Sequence, residues 1–158
     1  MSNNNNPTYN RFEQICLHKQ MLESSAWNSL SKSEEKVFIY LYSCLQWARI
    51  GRPKRWVCAN NGQIEVSTIK MRKKLHISKQ TCSKAIHQLI KVGFIKLTRV
   101  GTNKVCHRYM ILHNNCVSQN QQRWRNYPQQ DWENECPTRP NSMNGVATRF
   151  NSEPRNVD

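Results

Sequence analysis

The sequence predicts an α+β domain, mainly α, that closes with a two-stranded β-hairpin and is followed by a largely disordered polar tail. Three observations predict it. Two short segments, 68–75 and 79–92, each preceded by a serine and joined by a tight turn, carry apolar residues at helical spacing. Two runs of strand formers, 94–100 and 104–112, flank Gly101-Thr102-Asn103. From about Asn114 the chain is rich in Asn, Gln and Pro and loses apolar periodicity. A chain of 158 residues holds one core of about 100 residues, so the expected division is a disordered start over 1–11, a domain over 12–113 and a flexible tail over 114–158.

The elements follow in order. Residues 12–30 are apolar at Phe12, Ile15, Leu22, Trp27 and Leu30 and are expected to pack on the common core. Ser31 and Glu34 have the spacing of a capping box. Val37, Leu41, Cys44 and Ala48, with Phe38, Tyr42 and Leu45 beside them, predict a helix from about Ser33 to Arg49 that ends near Gly51 and Pro53. Asn61-Gly62 reads as a turn and 63–66 as a short strand. Ser67 caps a helix over 68–75 with apolar positions Ile69, Met71 and Leu75. Ser78 caps the next, over 79–92, which Gly93 stops. Its buried stripe is Cys82, Ala85, Ile86, Leu89 and Ile90, and the opposite face shows Lys79, Gln80, Thr81, Ser83, Lys84, His87 and Lys91. Two short helices joined through His76-Ile77 form a helix-turn-helix, and amide, hydroxyl and lysine groups are the chemistry that reads base edges and phosphates.

Charge points to the same partner. Between Arg49 and Arg108 stand fifteen Lys and Arg against one acid, Glu65, which accounts for the whole net charge of +14. Residues 109–158 are balanced, with five of each sign. A one-signed cluster repels itself, and a polyanion relieves that repulsion best, so the expected partner is double-stranded DNA. Lys70 and Lys73 on the first helix of the pair join the candidate contacts, as do Arg99 and Lys104 at the hairpin tip. The stretch GRPKRW, 51–56, has the Gly-Arg-Pro core of a minor-groove hook, but it stands inside a folded domain. It is read as a basic loop in which Arg52, Lys54 and Arg55 touch phosphate.

Other classes find little support. No stretch reaches the roughly 18 apolar residues of a membrane span, and the polar start lacks the apolar run of a secretory signal, so a cytoplasmic location is expected. Seven cysteines, an odd number with no Cys-x-x-Cys pair, read as reduced thiols. Cys106, His113 and Cys116 are the one candidate zinc cluster, and adjacent Cys106 and His107 would point to opposite faces of a strand, so no metal and no cofactor is expected. Catalytic motifs are missing, and Glu65 alone is too little acid for a metal-dependent nuclease.

The order helix, strand, helix, helix, hairpin is that of a winged helix-turn-helix domain. The stretch Ser67 to Ile95, STIKMRKKLHISKQTCSKAIHQLIKVGFI, resembles the helix-turn-helix of winged-helix DNA-binding proteins, in which two capping serines and a T-v-s-x-A-i-x-x-L-x-x-x-G-[FL]-I run recur. MLESSAWNSLSKSEEKVFIYL and RWRNYP also resemble small helix-turn-helix proteins encoded by phages, prophages and plasmids. The resemblance spans about residues 12–128. It implies a regulator of transcription or replication, with Lys79, Gln80, Thr81, Ser83 and Lys84 at the major groove and Arg99 and Lys104 on the wing. It also implies a homodimer on paired half-sites as one arrangement. Two positions depart from the pattern: Arg72 replaces a small residue and is expected to reach toward phosphate, and His76 replaces a frequent glycine and is expected in the left-handed conformation.

In the tail, Trp124, Tyr127 and Trp132 exceed what a solvated segment needs and are expected to fold back on the domain. Thr138-Arg139-Pro140-Asn141-Ser142 is echoed by Thr148-Arg149-Phe150-Asn151-Ser152. The alternative function is therefore a protein-interaction adaptor or inhibitor that docks a replication or host factor through residues 124–152.

Overall fold

Serine hydroxyls start most of the helices. The computed structural model describes residues 9–10, 15–102, 104–113 and 116–137. Helix α1 (Lys19–Leu22) has no side-chain cap, whereas α2 (Ser25–Asn28), α3 (Lys32–Ser43), α4 (Thr68–Leu75) and α5 (Lys79–Lys91) open on Ser24, Ser31, Ser67 and Ser78. Each of these serine oxygens accepts from the amide three residues on, at 3.1–3.4 Å. At α3 the capping box is complete, because the Ser31 amide donates to Glu34 Oε2 at 2.7 Å. His76 ends α4 at φ 54°, ψ 46°, the left-handed conformation that lets α5 start in a new direction.

Two small antiparallel sheets accompany these five α-helices. Strands β1 (Tyr9–Asn10), β2 (Trp47–Ile50) and β3 (Arg55–Cys58) form one in the order β1-β2-β3. Strands β4 (Ile64–Glu65), β5 (Ile95–Arg99) and β6 (Arg108–Ile111) form the other in the order β4-β6-β5. The fold is thus a small α+β one, and among the described residues no helix is long and apolar enough to cross a membrane.

Helix α5 packs on α3 through the stripe its spacing predicts. Cys82, Ala85, Ile86, Leu89 and Ile90 are all buried, and a fully buried aliphatic side chain contributes about 1.5–3 kcal/mol. An aromatic cluster fills the centre: Phe38 and Phe94 have ring centroids 5.4 Å apart, and Trp27 meets each edge-on at 5.7 Å.

Three expectations change. The first concerns α3, which ends at Ser43 instead of Arg49. Cys44, Leu45 and Ala48 suit a helix stripe, but Trp47–Ile50 leave it to pair with Cys58–Arg55 in β3. Ala48 is buried all the same, from a strand. Asn60 fixes the exit, since its Oδ1 accepts from the Gln46 amide at 2.7 Å and its Nδ2 donates to the Cys44 carbonyl at 3.1 Å. The basic stretch after Arg49 is therefore the end of a hairpin: Gly51, at φ +82°, opens the exposed turn 51–54 and Arg55 starts β3.

The second concerns the chain on either side of the domain. Tyr9–Asn10, within the expected disordered start, pair with β2, while Phe12 lies outside the described residues. Residues 116–137, expected to be flexible, pack on the domain through 3-10 turns at 119–121, 123–126 and 133–135. Trp124 is 2% exposed, stacks on Phe94 at 6.0 Å and donates its indole N–H to the Leu112 carbonyl at 3.0 Å. Gly93, at φ +91°, makes the approach feasible, because a Cβ there would stand 2.6 Å from Arg123 Cβ and 2.8 Å from the Trp124 amide nitrogen. The echoed segments at 138–142 and 148–152 lie outside the described residues.

The third concerns α4, where Ile69 is 61% exposed while Met71 is buried. A helix of eight residues on a small core buries a narrower stripe than its apolar positions suggest.

Asn61 ties the link between β3 and β4 to the end of β6. Its Oδ1 accepts from the Ile111 amide at 2.8 Å and its Nδ2 donates to the Ile111 carbonyl at 2.9 Å. Asn61→Ala leaves both strand groups without these partners, and a loss of about 2–4 kcal/mol in the free energy of urea unfolding is expected. A loss under about 0.5 kcal/mol would show that water replaces the side chain at no cost.

His113, fully buried, meets Tyr42 edge-on at 5.1 Å and His18 at 5.3 Å. Burial, with His18 adding to it, pushes the imidazole down to about 4 from its ordinary 6.5. The unfolded chain then binds a proton that the folded one refuses, so this group's contribution is complete above pH 6.5 and declines as the pH falls toward 4. Each unit of that difference amounts to about 1.4 kcal/mol. Urea midpoints that stay flat from about pH 7 to about pH 4.5 would contradict this assignment.

Candidate nucleic-acid interface

The first turn of α5 presents part of the basic window on a capped helix end. Ser78 and Thr81 hydroxyls bond to each other at 2.8 Å and the Thr81 amide donates to Ser78 Oγ, so Thr81 serves the cap as well as the surface. Lys79, Gln80 and Lys84 are exposed and Ser83 is half-buried beside them. On α4, Lys70, Lys73 and Lys74 are exposed, with Ile69 among them. The capped N-terminus of α5 adds its own positive end to these ammonium groups. Lysines, amide and hydroxyls on one helix pair can bind phosphates and, in a groove, base edges.

The flank of α5 from Ser83 to Lys91 is built differently. Ser83, Lys84, His87, Gln88 and Lys91 line a cleft of about 350 Å³ that Glu34, Glu133 and Cys136 complete. Lys91 Nζ lies 3.2 Å from Glu133, which holds the ammonium pKa above the usual lysine value. Cys136 Sγ donates to the His87 carbonyl at 3.4 Å, and the Trp132 amide donates to the Lys91 carbonyl at 3.0 Å. His87 and Lys91, expected on an open face, thus sit under the C-terminal segment. The Arg123 guanidinium braces that segment, at 2.7 Å from Glu135 and 5.2 Å from the Trp132 ring centroid.

The hairpin after α5 also differs from expectation. Strand β6 begins at Arg108, so 100–102 and 104–107 lie outside both strands. Thr102 and Val105 exchange backbone bonds across the hairpin tip, and His107 Nδ1 accepts from the Gly101 amide at 3.0 Å. A Cβ on Gly101 would collide with the Val105 carbonyl. Lys104 is exposed on this loop, and Asn103 lies outside the described residues. Arg99 is committed elsewhere: its Nη2 donates to Glu65 Oε1 at 2.8 Å and to the Cys106 carbonyl at 3.1 Å. Arg108 donates to the same Glu65 oxygen at 2.7 Å, and the two guanidiniums, Arg108 foremost, hold the carboxyl below its ordinary range. The one acid of the basic window therefore joins β4, β5 and β6 through Arg99 and Arg108.

A third basic element is the β2–β3 hairpin. Arg49, Arg52, Lys54 and Arg55 are exposed on it, and Trp56, opposite Arg49, is 41% exposed. Sequence reasoning missed the Arg49–Trp56 pairing, although two short runs with strand formers on either side of the Gly51-Pro53 turn were its signal. Residues 49–55 and the α4–α5 pair thus occupy separate elements, with Lys104 on a third.

The cysteine and histidine candidates for zinc do not converge. Cys106 is exposed on the loop, His113 is buried against Tyr42 and His18, and Cys116 is half-buried with its carbonyl 3.5 Å from Asn61 Nδ2. Among the described residues no group of three or more His, Cys, Asp or Glu is placed to hold a metal ion. Arg72 is half-buried in α4, with a buried Nε near Cys82.

Comparison with protein-family models, curated proteins and solved structures finds no match.

Proposed function

We propose that the chain is a winged helix-turn-helix protein that binds duplex DNA through the N-terminal half of α5. The observation that carries this reading is the distribution of acid around the cations. Glu65 is taken up by Arg99 and Arg108, and Glu133 by Lys91. Among the described residues, Lys79, Lys84, Lys70 and Lys73 have no acidic partner within ion-pair distance. An exposed cluster of unneutralised ammonium groups at a helix N-terminus is matched by phosphates that shed their counterions on binding.

In this reading Lys79, Gln80, Ser83 and Lys84 enter the major groove, while Lys70 and Lys73 on α4 hold the backbone. Lys104 on the β5–β6 loop and Arg52, Lys54 and Arg55 on the β2–β3 hairpin add further phosphate contacts. The alternation of two helices, a turn at His76 and the strand pair β5–β6 supports the winged-helix description. A role in transcription or replication of the phage or plasmid type, in the cytoplasm and with a dimer on paired half-sites, belongs to the same proposal.

Titrating the full chain with a random-sequence duplex over a salt series tests it. Several phosphate contacts give a log–log slope of roughly −0.9 each, so affinity falls steeply with salt. Weak binding with a flat salt dependence would redirect attention to a protein partner.

A further inference from the structure

The β2–β3 hairpin carries an exposed indole among its cations, and phosphate contacts alone leave that ring unused. Strand register sets Arg49 opposite Trp56 and Ile50 opposite Arg55. Directly opposed residues share a face of the ribbon, so the Arg49 and Trp56 side chains lie side by side. Trp47 and Cys58, two residues inward on the same face, pack against the core. That face is anchored at its inner end and open at its outer one, where Arg49 is exposed and Trp56 is 41% exposed. The base of the hairpin is fixed as well. The Ala59 amide donates to the Gln46 carbonyl at 2.8 Å, and Asn60 holds both the Gln46 amide and the Cys44 carbonyl.

We propose that this hairpin is a second nucleic-acid site that takes single-stranded DNA, with an unpaired base stacked on the Trp56 indole and phosphates on Arg49, Arg52, Lys54 and Arg55. These four cations stand within 49–56 without an acid. Among the described residues, none of them has an acidic partner within ion-pair distance. The charge is complementary to phosphates, and the ring is complementary to something a duplex does not offer. Paired bases bury their faces in the stack and present only edges in the grooves, whereas an unpaired base presents its π-face. An aromatic ring set among cations that track the backbone holds a strand with little regard to its sequence. No hydroxyl, amide or carboxylate side chain stands in 49–56 to accept from a ribose 2′-hydroxyl. That the strand is DNA rests on the duplex reading of α5, whereas the stacking site stands on an element of its own.

The test uses the full chain with a labelled oligothymidylate of roughly 15 nucleotides, within the range such sites cover, and a random-sequence duplex as the second ligand. The expected result is strand binding that weakens with salt, at a log–log slope of about −0.7 for each phosphate contact. Trp56→Ala is expected to lower strand affinity roughly tenfold, and Trp56→Phe, which keeps an aromatic face, to retain most of it. Lys79→Ala with Lys84→Ala is expected to spare strand binding while lowering duplex affinity. In the isotope-labelled chain, the indole N–H resonance that disappears in Trp56→Phe is expected to shift as oligothymidylate is added. A resonance that stays in place overturns the proposal, as does a Trp56→Ala chain that binds the strand undiminished. Tighter binding of oligouridylate than of oligothymidylate overturns the assignment to DNA. A chain that binds duplex but not oligothymidylate loses this site and keeps the α5 reading, and one that binds the strand through Trp56 but no duplex does the reverse.

Discussion

Trp124→Ala is expected to destabilise the domain by about 3–5 kcal/mol in urea unfolding, the range for removing a buried large aromatic side chain. Three losses combine. The indole no longer covers Phe94, against which it stacks at 6.0 Å, and Phe94 is itself shared with Phe38 and Trp27. The Leu112 carbonyl loses the indole N–H at 3.0 Å in a buried setting. The Arg125 guanidinium, 4.5 Å from the ring centroid, loses its platform. Trp132, 8% exposed and held mainly by Arg123 and a backbone bond, is expected to tolerate alanine better. If Trp124→Ala changed the midpoint no more than a surface substitution, within about 0.5 kcal/mol, residues 116–137 would not belong to the folded unit.

The double substitution Lys79→Ala with Lys84→Ala is expected to lower duplex affinity at moderate salt by roughly tenfold or more and to flatten the log–log salt slope by about 1.8, two contacts at 0.9 each. Position on one helix does not by itself produce this effect. Lys91 lies on the same helix but faces Glu133 at 3.2 Å, so Lys91→Ala is expected to leave the slope almost unchanged. Arg99, paired with Glu65, is expected to matter for stability more than for binding. Equal losses from Lys79/Lys84 and from Lys91 would mean that binding follows total charge, and the proposed reading surface would be wrong.

What the sequence made legible has a common physical origin. The α5 stripe, the serine caps and the left-handed His76 are local: each follows from spacing or from side chains within four residues. The β5–β6 pair was readable because its strand formers flank a glycine turn, although its loop is longer than the run of strand formers implied.

The misses depend on distant partners. Cys44 to Ala48 satisfies a helical period, and only the pairing with β3 and the reach of Asn60 end the helix at Ser43. Residues 116–137 lack a period, so their composition reads as disorder. The surplus of aromatics was the legible signal: Trp124 and Trp132 are buried as expected, Trp124 against Gly93. From sequence Arg99 reads as a wing cation, and nothing local reveals that Glu65, on another strand, pairs with it. At the candidate site, the N-terminal half of α5 was readable from sequence, and the covering of His87 and Lys91 was not.

The most direct test of the central claim is a map of backbone amide shifts in the isotope-labelled full chain as a short random-sequence duplex is added at low salt. The account predicts the largest changes at residues 78–84, smaller ones along 70–74 and at Lys104 and the 51–55 turn, and little at His87 or Lys91. Changes centred on the C-terminal segment, or none at any duplex concentration, would contradict it.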